Sequence, residues 1–320
     1  MKRTLFVTSN RLGDAVLTTG ALQYLHELEP DIPITVVCGH LSAEIFANMA
    51  GVERVVAISK QKYSGHWLTA ARELGFKFWH RIVDYRGSPL SLFPARHRHV
   101  WRGGADDVHK AIANARMLGL ETPLPPRLDP DMDDPDLLGP LEGAARILAL
   151  APTANFFKKQ WHHDNYVALA QALTAEGAPL AGAKVVVLGA PGEEAQALPV
   201  VAGLPEDQVV DFVGKTTPLQ AAKLIRRSDL FVGNDSGLMH TSVAVGRPTV
   251  GLFGIGKPAV YGPWGDKSLC LIGDPAGVPI TRQVGTDDAG REVTTESLPP
   301  AKVIADVQAF MEQLPEFKVR

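Results

Sequence analysis

Short β-branched runs alternate with helical stretches along the chain, and this alternation restricts the fold more than any other feature. In the first half, strand-like runs occur at residues 5–7, 34–38, 55–58 and 81–84; in the second half, they occur at 147–150, 184–189, 230–232 and 248–253. Apolar helical stretches separate them, at residues 15–28, 43–49, 164–176, from about 193, 218–227, 238–245 and 301–314. Strands that alternate with helices indicate βαβ units and parallel sheets. The sequence therefore predicts an α/β protein.

The alternation stops once, in a segment rich in proline and aspartate at residues 124–140, and then starts again. Such a segment breaks regular structure and is typical of a connection between domains. The length of 320 residues also fits two domains at ~100–200 residues each. We predict an N-terminal domain at residues 1–142 and a C-terminal domain at 143–300.

Composition excludes several other classes of protein. Hydrophobic residues make up 45% of the chain and charged residues 21%, as in ordinary globular proteins. The net charge of −3 is unlike that of a dedicated nucleic-acid binder. Cys38 and Cys270 are too few for a disulfide framework, which fits a reducing cytoplasm. The basic start of the chain precedes only a short apolar run, so we expect a first buried strand there rather than a targeting signal.

The most informative polar segment follows the strand at 230–232 and reads Asn-Asp-Ser-Gly-Leu-Met-His. Asp235, Ser236 and Gly237 form a turn before a helix, where free backbone N–H groups and the helix dipole favour an anion. His240 lies about one turn into that helix. Asp235 as a helix cap and His240 as a core histidine are the alternatives, but several polar groups at one turn favour a phosphate or nucleotide site.

Two other loops follow strands of the second half. In the loop after residue 150, Lys159 can neutralise a diphosphate and Thr153 can hydrogen-bond to it. An exposed lysine alone would be weak support. After the strand at 184–189, Glu193 or Glu194 can accept hydrogen bonds from a ribose. Taken alone, these glutamates are better explained as first-turn acids that complement the helix dipole.

In the first half, Asp14 follows the first strand within Arg-Leu-Gly-Asp-Ala-Val. Loops at the carboxyl ends of parallel strands line the binding crevice, so Asp14 could act on a ligand. A helix cap is an equally good explanation. A basic and aromatic cluster at Arg86 and at residues 96–102 suggests an anionic partner, and a solvated basic face explains it about as well.

Four segments, in the same order along the chain, resemble those of glycosyltransferase family 9, the bacterial heptosyltransferases of lipopolysaccharide core assembly. The segments are Arg-Leu-Gly-Asp-Ala-Val-Leu-Thr-Thr-Gly-Ala-Leu at 11–22, Lys-Gln-Trp at 159–161, Gly-Lys-Thr at 214–216, and Asn-Asp-Ser-Gly-Leu-Met-His at 234–240, which continues through Gly-Arg-Pro at 246–248 to Leu-Phe-Gly at 252–254. The resemblance covers nearly the whole chain.

The resemblance implies a GT-B fold, in which two Rossmann-like domains face a central cleft. In that fold the C-terminal helix commonly returns to the N-terminal domain, and residues 301–320 are the candidate for this. The implied activity is an inverting transfer of a sugar, typically heptose from ADP-heptose, to a lipid-linked saccharide. Asp14 matches the general base of the family.

Other site residues are carried over from the same resemblance. Lys159 and the turn at Asp235, Ser236 and Gly237 would stabilise the departing diphosphate. His240 matches a donor-site position, and Glu193 or Glu194 would hold the ribose beside Thr153. We expect the acceptor to be bound by Asn10, Arg11, Arg86, Arg96, Arg98 and Arg102.

No metal or other cofactor is expected, and no nucleic-acid partner. The expected location is the cytoplasm, and the basic cluster could meet acceptor phosphates or the anionic surface of the inner membrane. A GT-B enzyme that uses another nucleotide sugar, as transferase or epimerase, and a nucleotide-binding module without catalysis remain alternatives.

Overall fold

The computed structural model describes residues 2–103, 107–254, 256–273 and 297–318, except for the side chain of Phe157. It divides into two compact units, residues 1–130 and 131–320. The division falls inside the proline- and aspartate-rich segment, twelve residues before the predicted boundary of 142. The reason is that the short helix α6 (Pro135–Leu138) belongs to the second unit, where the preceding Asp134 pairs with Lys223 at 3.2 Å (Nζ to Oδ2).

The first unit contains a five-stranded sheet in the order β3-β2-β1-β4-β5, with every pairing parallel. Its strands are β1 (Thr4–Val7), β2 (Ile34–Gly39), β3 (Val52–Ile58), β4 (Trp79–Asp84) and β5 (Ala95–Val100). Its helices are α1 (Leu12–Val16), α2 (Thr19–Leu28), α3 (His40–Ala47), α4 (Gly65–Leu74) and α5 (Lys110–Met117).

The helix predicted at residues 15–28 is two helices, α1 and α2, with a break at Leu17 and Thr18. The Thr18 hydroxyl explains the break, because it donates to the carbonyl oxygen of Ala15 at 2.7 Å and lies 2.8 Å from the hydroxyl of Thr8. The pattern also failed to predict α4, β5 and α5. Strand β5 reads Ala-Arg-His-Arg-His-Val and is a half-exposed edge strand, so it lacks the apolar alternation of a buried strand.

Alternate residues of the first sheet pack on opposite faces, as the two-residue period of a strand requires. One face, with Leu5 and Ile82, packs against α4; the other, with Phe6 and Val83, packs against α2 and α3. Each face is covered by helices, which is why the strands read as short continuous apolar runs.

The second unit contains a six-stranded parallel sheet in the order β11-β10-β9-β6-β7-β8. Its strands are β6 (Ile147–Ala151), β7 (Lys184–Val187), β8 (Val209–Asp211), β9 (Leu230–Asn234), β10 (Thr249–Phe253) and β11 (Ser268–Ile272). After α6, its helices are α7 (His163–Thr174), α8 (Glu194–Ala202), α9 (Pro218–Arg227), α10 (Gly237–Ala244), α11 (Pro258–Tyr261) and α12 (Pro300–Gln313). The predicted α/β class with parallel sheets is confirmed.

The C-terminal helix α12 belongs to the core of the second unit. Its apolar side, with Val303, Val307 and Met311 fully buried, shares one hydrophobic cluster with Leu169 and Leu173 of α7. The expectation that residues 301–320 return to the N-terminal domain stays a prediction.

None of the helices in the described ranges combines the length and the hydrophobicity that a membrane-spanning helix needs.

Replacement of Gly20 by alanine should destabilise the first unit. A Cβ atom at Gly20 would lie 1.9 Å from the carbonyl oxygen of Pro125, so the backbone of one of the two segments must move. We expect a loss of about 1–3 kcal/mol from this overpacking, which outweighs the gain of about 1 kcal/mol in helix propensity. Urea unfolding measures the resulting change in the free energy of unfolding. Gly139→Ala is the control, because a Cβ there meets nothing within 4 Å; equal midpoints for the two variants would contradict the packing argument.

Candidate functional site

Each sheet has one topological switch point. There, two neighbouring strands are followed by connections that run to strands on opposite sides of the pair. In the second unit this point lies between β6 and β9, which pair directly, since β6 continues toward β7 and β9 toward β10. In open parallel sheets, ligands bind at the carboxyl ends of the strands at such a point. The loops after β6 and β9 are the ones that carry Lys159 and Asp235.

The buried side chain of Asn234 joins these two loops. Its Oδ1 atom accepts hydrogen bonds from the backbone N–H of Trp161 at 3.1 Å and from the hydroxyl of Tyr166 at 2.9 Å. Its Nδ2 atom donates to the carbonyl oxygens of Pro152 at 2.8 Å and Thr153 at 3.4 Å. An amide can make four hydrogen bonds, so Asn234 is saturated. The candidate residues predicted from sequence did not include Asn234, although it opens the motif that contains them.

Lys159 and Asp235 form an ion pair across the two loops, with 2.5 Å between Nζ and Oδ2. The side chains are 28% and 11% exposed. The alternative that Asp235 caps the helix is wrong, because the N-cap residue of α10 is Ser236. The carboxylate instead holds the lysine ammonium in one position, at the edge where a ligand is expected.

The turn beside this ion pair offers further hydrogen-bond donors. The Ser236 hydroxyl is buried and has no hydrogen-bond partner in the described part of the chain. It does not cap α10, so the first N–H groups of that helix receive no side-chain acceptor from it. A lysine ammonium, a hydroxyl and a helix N-terminus together suit an anion such as a diphosphate. Gly256 permits the close approach of the next loop, since a Cβ there would lie 2.9 Å from Oδ2 of Asp235.

His240 lies inside α10 and is 5% exposed. Its ring centroid is 6.4 Å from that of Tyr261. This burial fits the alternative of a core histidine as well as a donor-site residue.

The two glutamates at the start of α8 have different surroundings. One carboxylate oxygen of Glu193 accepts hydrogen bonds from the Thr153 hydroxyl at 2.6 Å and from the backbone N–H of Ala190 at 2.9 Å. Glu194 is exposed, and hydrogen bonds from its own backbone N–H and from that of Gly192 hold its pKa below the usual value. Glu193 is therefore the one that the structure brings to the β6 loop.

Gly214, in the Gly-Lys-Thr segment, makes room for Glu194. Its φ is +71°, and a Cβ there would lie 2.2 Å from a carboxylate oxygen of Glu194. The Gly-Lys-Thr segment thus leaves space for Glu194 because its glycine has no side chain. Its lysine, Lys215, pairs with Asp211, with 2.6 Å between Nζ and Oδ2.

In the first unit the corresponding point lies between β1 and β4, which also pair directly. Asn10 and Arg11 follow β1, and Arg86 follows β4, so these side chains share the carboxyl edge with Asp14. Asp14 is half-buried inside α1, and the alternative of a helix cap is wrong because the N-cap residue is Arg11. Within the described ranges, the Asp14 carboxylate makes no hydrogen bond or ion pair.

Asp84 holds the turn that carries Arg86, and sequence reasoning did not identify it. Its carboxylate is fully buried and accepts hydrogen bonds from the backbone N–H of Arg86 at 2.8 Å and from the N–H and hydroxyl of Ser88, both at 2.7 Å. Burial raises the pKa of Asp84, and these hydrogen bonds oppose that shift. The sequence feature that could have identified Asp84 is its position as the last residue of a strand, directly before Tyr-Arg-Gly-Ser.

The basic cluster is spread along the edge strand β5 rather than gathered at one place. Arg102 follows the strand at the carboxyl edge, whereas Arg96 is near its amino end, about 20 Å away at the usual rise per residue. Arg98 lies between them, and its guanidinium donates to the carbonyl oxygen of Phe93 at 2.7 Å. Arg96 is thus not brought to the edge that holds Asn10, Arg11 and Arg86.

One group of potential metal ligands occurs among the described residues: His162, His163 and Asp164, at the surface where α7 begins. These ligand atoms lie within 4.8 Å of one another. The expectation that catalysis needs no metal stays a prediction.

Solved structures show which class of fold this is. The E. coli ADP-heptose LPS heptosyltransferase II has a TM-score of 0.69 and 23% identity, covering 97% of this chain and 98% of that one. A glycosyl transferase family 9 protein from Veillonella parvula has a TM-score of 0.77 and 18% identity, covering 97% of each chain. The chain therefore has the GT-B class of fold expected from its motifs.

The family follows from sequence. The model for glycosyltransferase family 9 (heptosyltransferase) matches residues 83–280, more than half of the chain. The chain belongs to this family. The lipooligosaccharide heptosyltransferase 2 of Haemophilus influenzae is 34% identical over 135 residues, which are 41% of this chain and 38% of that protein. The chain thus matches less than half the length of this curated relative.

Loss of the Asn234 amide should destabilise the second unit. In Asn234→Ala, two donors and two acceptors of the β6 loop and α7 lose their partner, so we expect a loss of about 2–4 kcal/mol in the free energy of unfolding. Tyr166→Phe removes only one of the four hydrogen bonds and should cost about 1 kcal/mol. Urea unfolding of both variants tests this. An Asn234→Ala variant no less stable than Tyr166→Phe would show that the amide does not hold the loops.

Proposed function

We propose that this chain transfers heptose from ADP-heptose to a saccharide of a lipopolysaccharide core, with inversion at the anomeric carbon. Membership of glycosyltransferase family 9 supports the reaction class, and the name of the E. coli structural neighbour supports the donor. The observation that carries the proposal lies where β6 and β9 end: the Lys159 ammonium is held by Asp235 beside the Ser236 hydroxyl, which has no hydrogen-bond partner among the described residues.

Asp14 is the proposed general base. Its carboxylate takes the proton of an acceptor hydroxyl while that oxygen attacks the anomeric carbon of the donor. The bond between the anomeric carbon and the diphosphate oxygen breaks, and ADP leaves with the electron pair of that bond. A half-buried carboxylate with no partner in the described ranges, at a carboxyl edge, is suited to this role.

Lys159, Ser236 and the N–H groups of α10 would stabilise the diphosphate as negative charge builds up on it. In the free protein the lysine charge is balanced by Asp235, which fixes its position before the donor arrives. Preorganised donors are worth more than mobile ones because they need no reordering during the reaction.

For the nucleoside, we propose Glu193 as the ribose-binding carboxylate. One of its oxygens is fixed by Thr153 and Ala190, and this orients the other for a ribose hydroxyl. Glu194 is exposed and is turned toward Gly192 and Gly214.

For the acceptor, we propose the basic residues at the carboxyl edge of the first sheet. Arg11 and Arg86 follow the strands on either side of the point between β1 and β4, and Arg102 follows β5. Their charges suit a phosphorylated or otherwise anionic saccharide. The proposed location is the cytoplasm, with peripheral contact with the inner membrane that carries such an acceptor.

Replacement of Asp14 by asparagine should remove catalysis and keep donor binding. The change is nearly isosteric, and loss of a general base typically lowers kcat by about 10²–10⁴-fold. ADP release from ADP-heptose in the presence of lipopolysaccharide core acceptor measures kcat, and calorimetry with ADP measures donor affinity, which should stay within about twofold. A kcat within about twofold of the wild type would refute Asp14 as the base.

Lys159→Met should weaken ADP binding by about 10–100-fold, because charge-assisted hydrogen bonds are worth about 1.5–3 kcal/mol. Lys158→Met removes the same charge one residue away and is the matched control, with an expected change below about twofold. Isothermal calorimetry with ADP tests both variants. Equal losses in the two variants would mean that general charge, and not the position set by Asp235, attracts the nucleotide.

A further inference from the structure

The short helix α1 carries Asp14, and it is too short to hold its own position. It has five residues, Leu12–Val16, and its N-cap residue provides no side-chain hydrogen bond. Isolated helices shorter than about 12–15 residues are marginal in water. The direction in which the Asp14 carboxylate points therefore depends on the contacts that α1 makes with the rest of the first unit.

Three side chains hold the carbonyl end of α1. The last carbonyl groups of a helix lack partners within the helix and need donors from elsewhere. The carbonyl oxygens of residues 15, 16 and 17 each accept a hydrogen bond from a side chain. The donors are the hydroxyls of Thr18 and Thr19, both at 2.7 Å, and the amide of Asn114 in α5, at 2.8 Å. The end of α1 is thus bound at three consecutive residues.

Thr18 also connects α1 to the sheet. Its one hydroxyl proton goes to the carbonyl oxygen of Ala15, so the hydroxyl of Thr8, 2.8 Å away, is the donor between the two threonines. Thr8 directly follows β1, and its backbone N–H donates to the carbonyl oxygen of Val37 in β2 at 2.9 Å. A chain of hydrogen bonds therefore runs from the sheet through Thr8 and Thr18 to the residue after Asp14.

These hydrogen bonds decide between one helix and two. The apolar pattern alone predicts a single helix over residues 15–28, yet α1 and α2 are separate. Thr8 and Thr19 are fully buried, and Thr18 and Asn114 are at most 5% exposed. Apolar contacts have little directionality, whereas a satisfied network of buried polar groups specifies one arrangement. The network therefore keeps α1 apart from α2 and fixes its orientation.

We propose that Thr8, Thr18 and Asn114 are positioning residues that orient the Asp14 carboxylate by keeping α1 separate from α2. This role rests on the proposed function, in which Asp14 is the general base. A base must lie within hydrogen-bond reach of the hydroxyl that it deprotonates. A displacement of about 1 Å can lower the rate about 100-fold. The three residues thus contribute to kcat without touching either substrate.

Thr18→Val tests the proposal on the full chain, because valine has nearly the shape of threonine and lacks the hydroxyl. We expect kcat for ADP release from ADP-heptose, with lipopolysaccharide core acceptor, to fall about 10–100-fold. The KM for ADP-heptose and the calorimetric affinity for ADP should stay within about twofold, because the proposed donor site lies in the second unit. Thr18→Ser keeps the hydroxyl and should retain kcat within about threefold.

Thr249→Val is the matched control for a loss of stability. The Thr249 hydroxyl lies 2.7 Å from that of Ser242 and donates to the carbonyl oxygen of Arg247 at 2.8 Å, so its contacts match those of Thr18. Both threonines are buried. Thr249 begins β10, at the amino edge of the second sheet, opposite to the proposed diphosphate site. We expect both valine variants to lower the thermal midpoint and only Thr18→Val to lower kcat.

A double variant separates the positioning of Asp14 from a general loss of structure. In the Asp14→Asn background, Thr18→Val should lower the residual kcat by less than about twofold, because the base through which Thr18 acts is already absent. A structural defect would lower kcat by the same factor in both backgrounds. Asn114→Leu removes the donor from α5 and should also lower kcat at unchanged KM, which provides the same test if Thr18→Val does not fold.

Three results would overturn the proposal alone, provided that Asp14→Asn is inactive. They are a wild-type kcat in Thr18→Val or Asn114→Leu, an equal loss of kcat in Thr249→Val, and a full effect of Thr18→Val in the Asp14→Asn background. A wild-type kcat in Asp14→Asn would overturn the proposed base together with the positioning role.

Discussion

The saturated amide of Asn234 is the contact on which the site of the second unit depends. The loops after β6 and β9 come from distant parts of the chain, and the Asn234 side chain ties them through four hydrogen bonds. Only because these loops are fixed can Lys159 meet Asp235 at 2.5 Å. A buried polar network that is fully satisfied gives a rigid local structure, and rigidity is what an electrostatic site requires.

The ion pair of Lys159 and Asp235 balances two needs. An unpaired ammonium would be costly to hold half-buried, and a mobile one would stabilise a diphosphate poorly. The carboxylate solves both problems in the free protein, but it also repels an incoming anion. Among the described residues, no carboxylate pairs with the Ser236 hydroxyl or with the N-terminus of α10. We therefore expect these donors to carry much of the attraction.

The sequence predicted the fold class well, because buried parallel strands leave apolar runs such as those of β6 and β9. It failed at β5, whose polar edge has no such run, and at the break between α1 and α2, which depends on a hydroxyl contact between Thr18 and Thr8. It also named Lys159 and Asp235 without predicting their ion pair. Asn234 and Asp84 escaped because their roles are tertiary hydrogen bonds, which leave no periodic signal.

The most direct test of the account is thermal-shift stabilisation of the wild-type protein by ADP, ADP-heptose, UDP and GDP. A ligand that binds only the folded state raises stability according to its concentration relative to Kd. We expect selective stabilisation by ADP and ADP-heptose. Stabilisation by UDP or GDP instead would contradict the proposed donor, and no stabilisation by any of the four would contradict the nucleotide site itself.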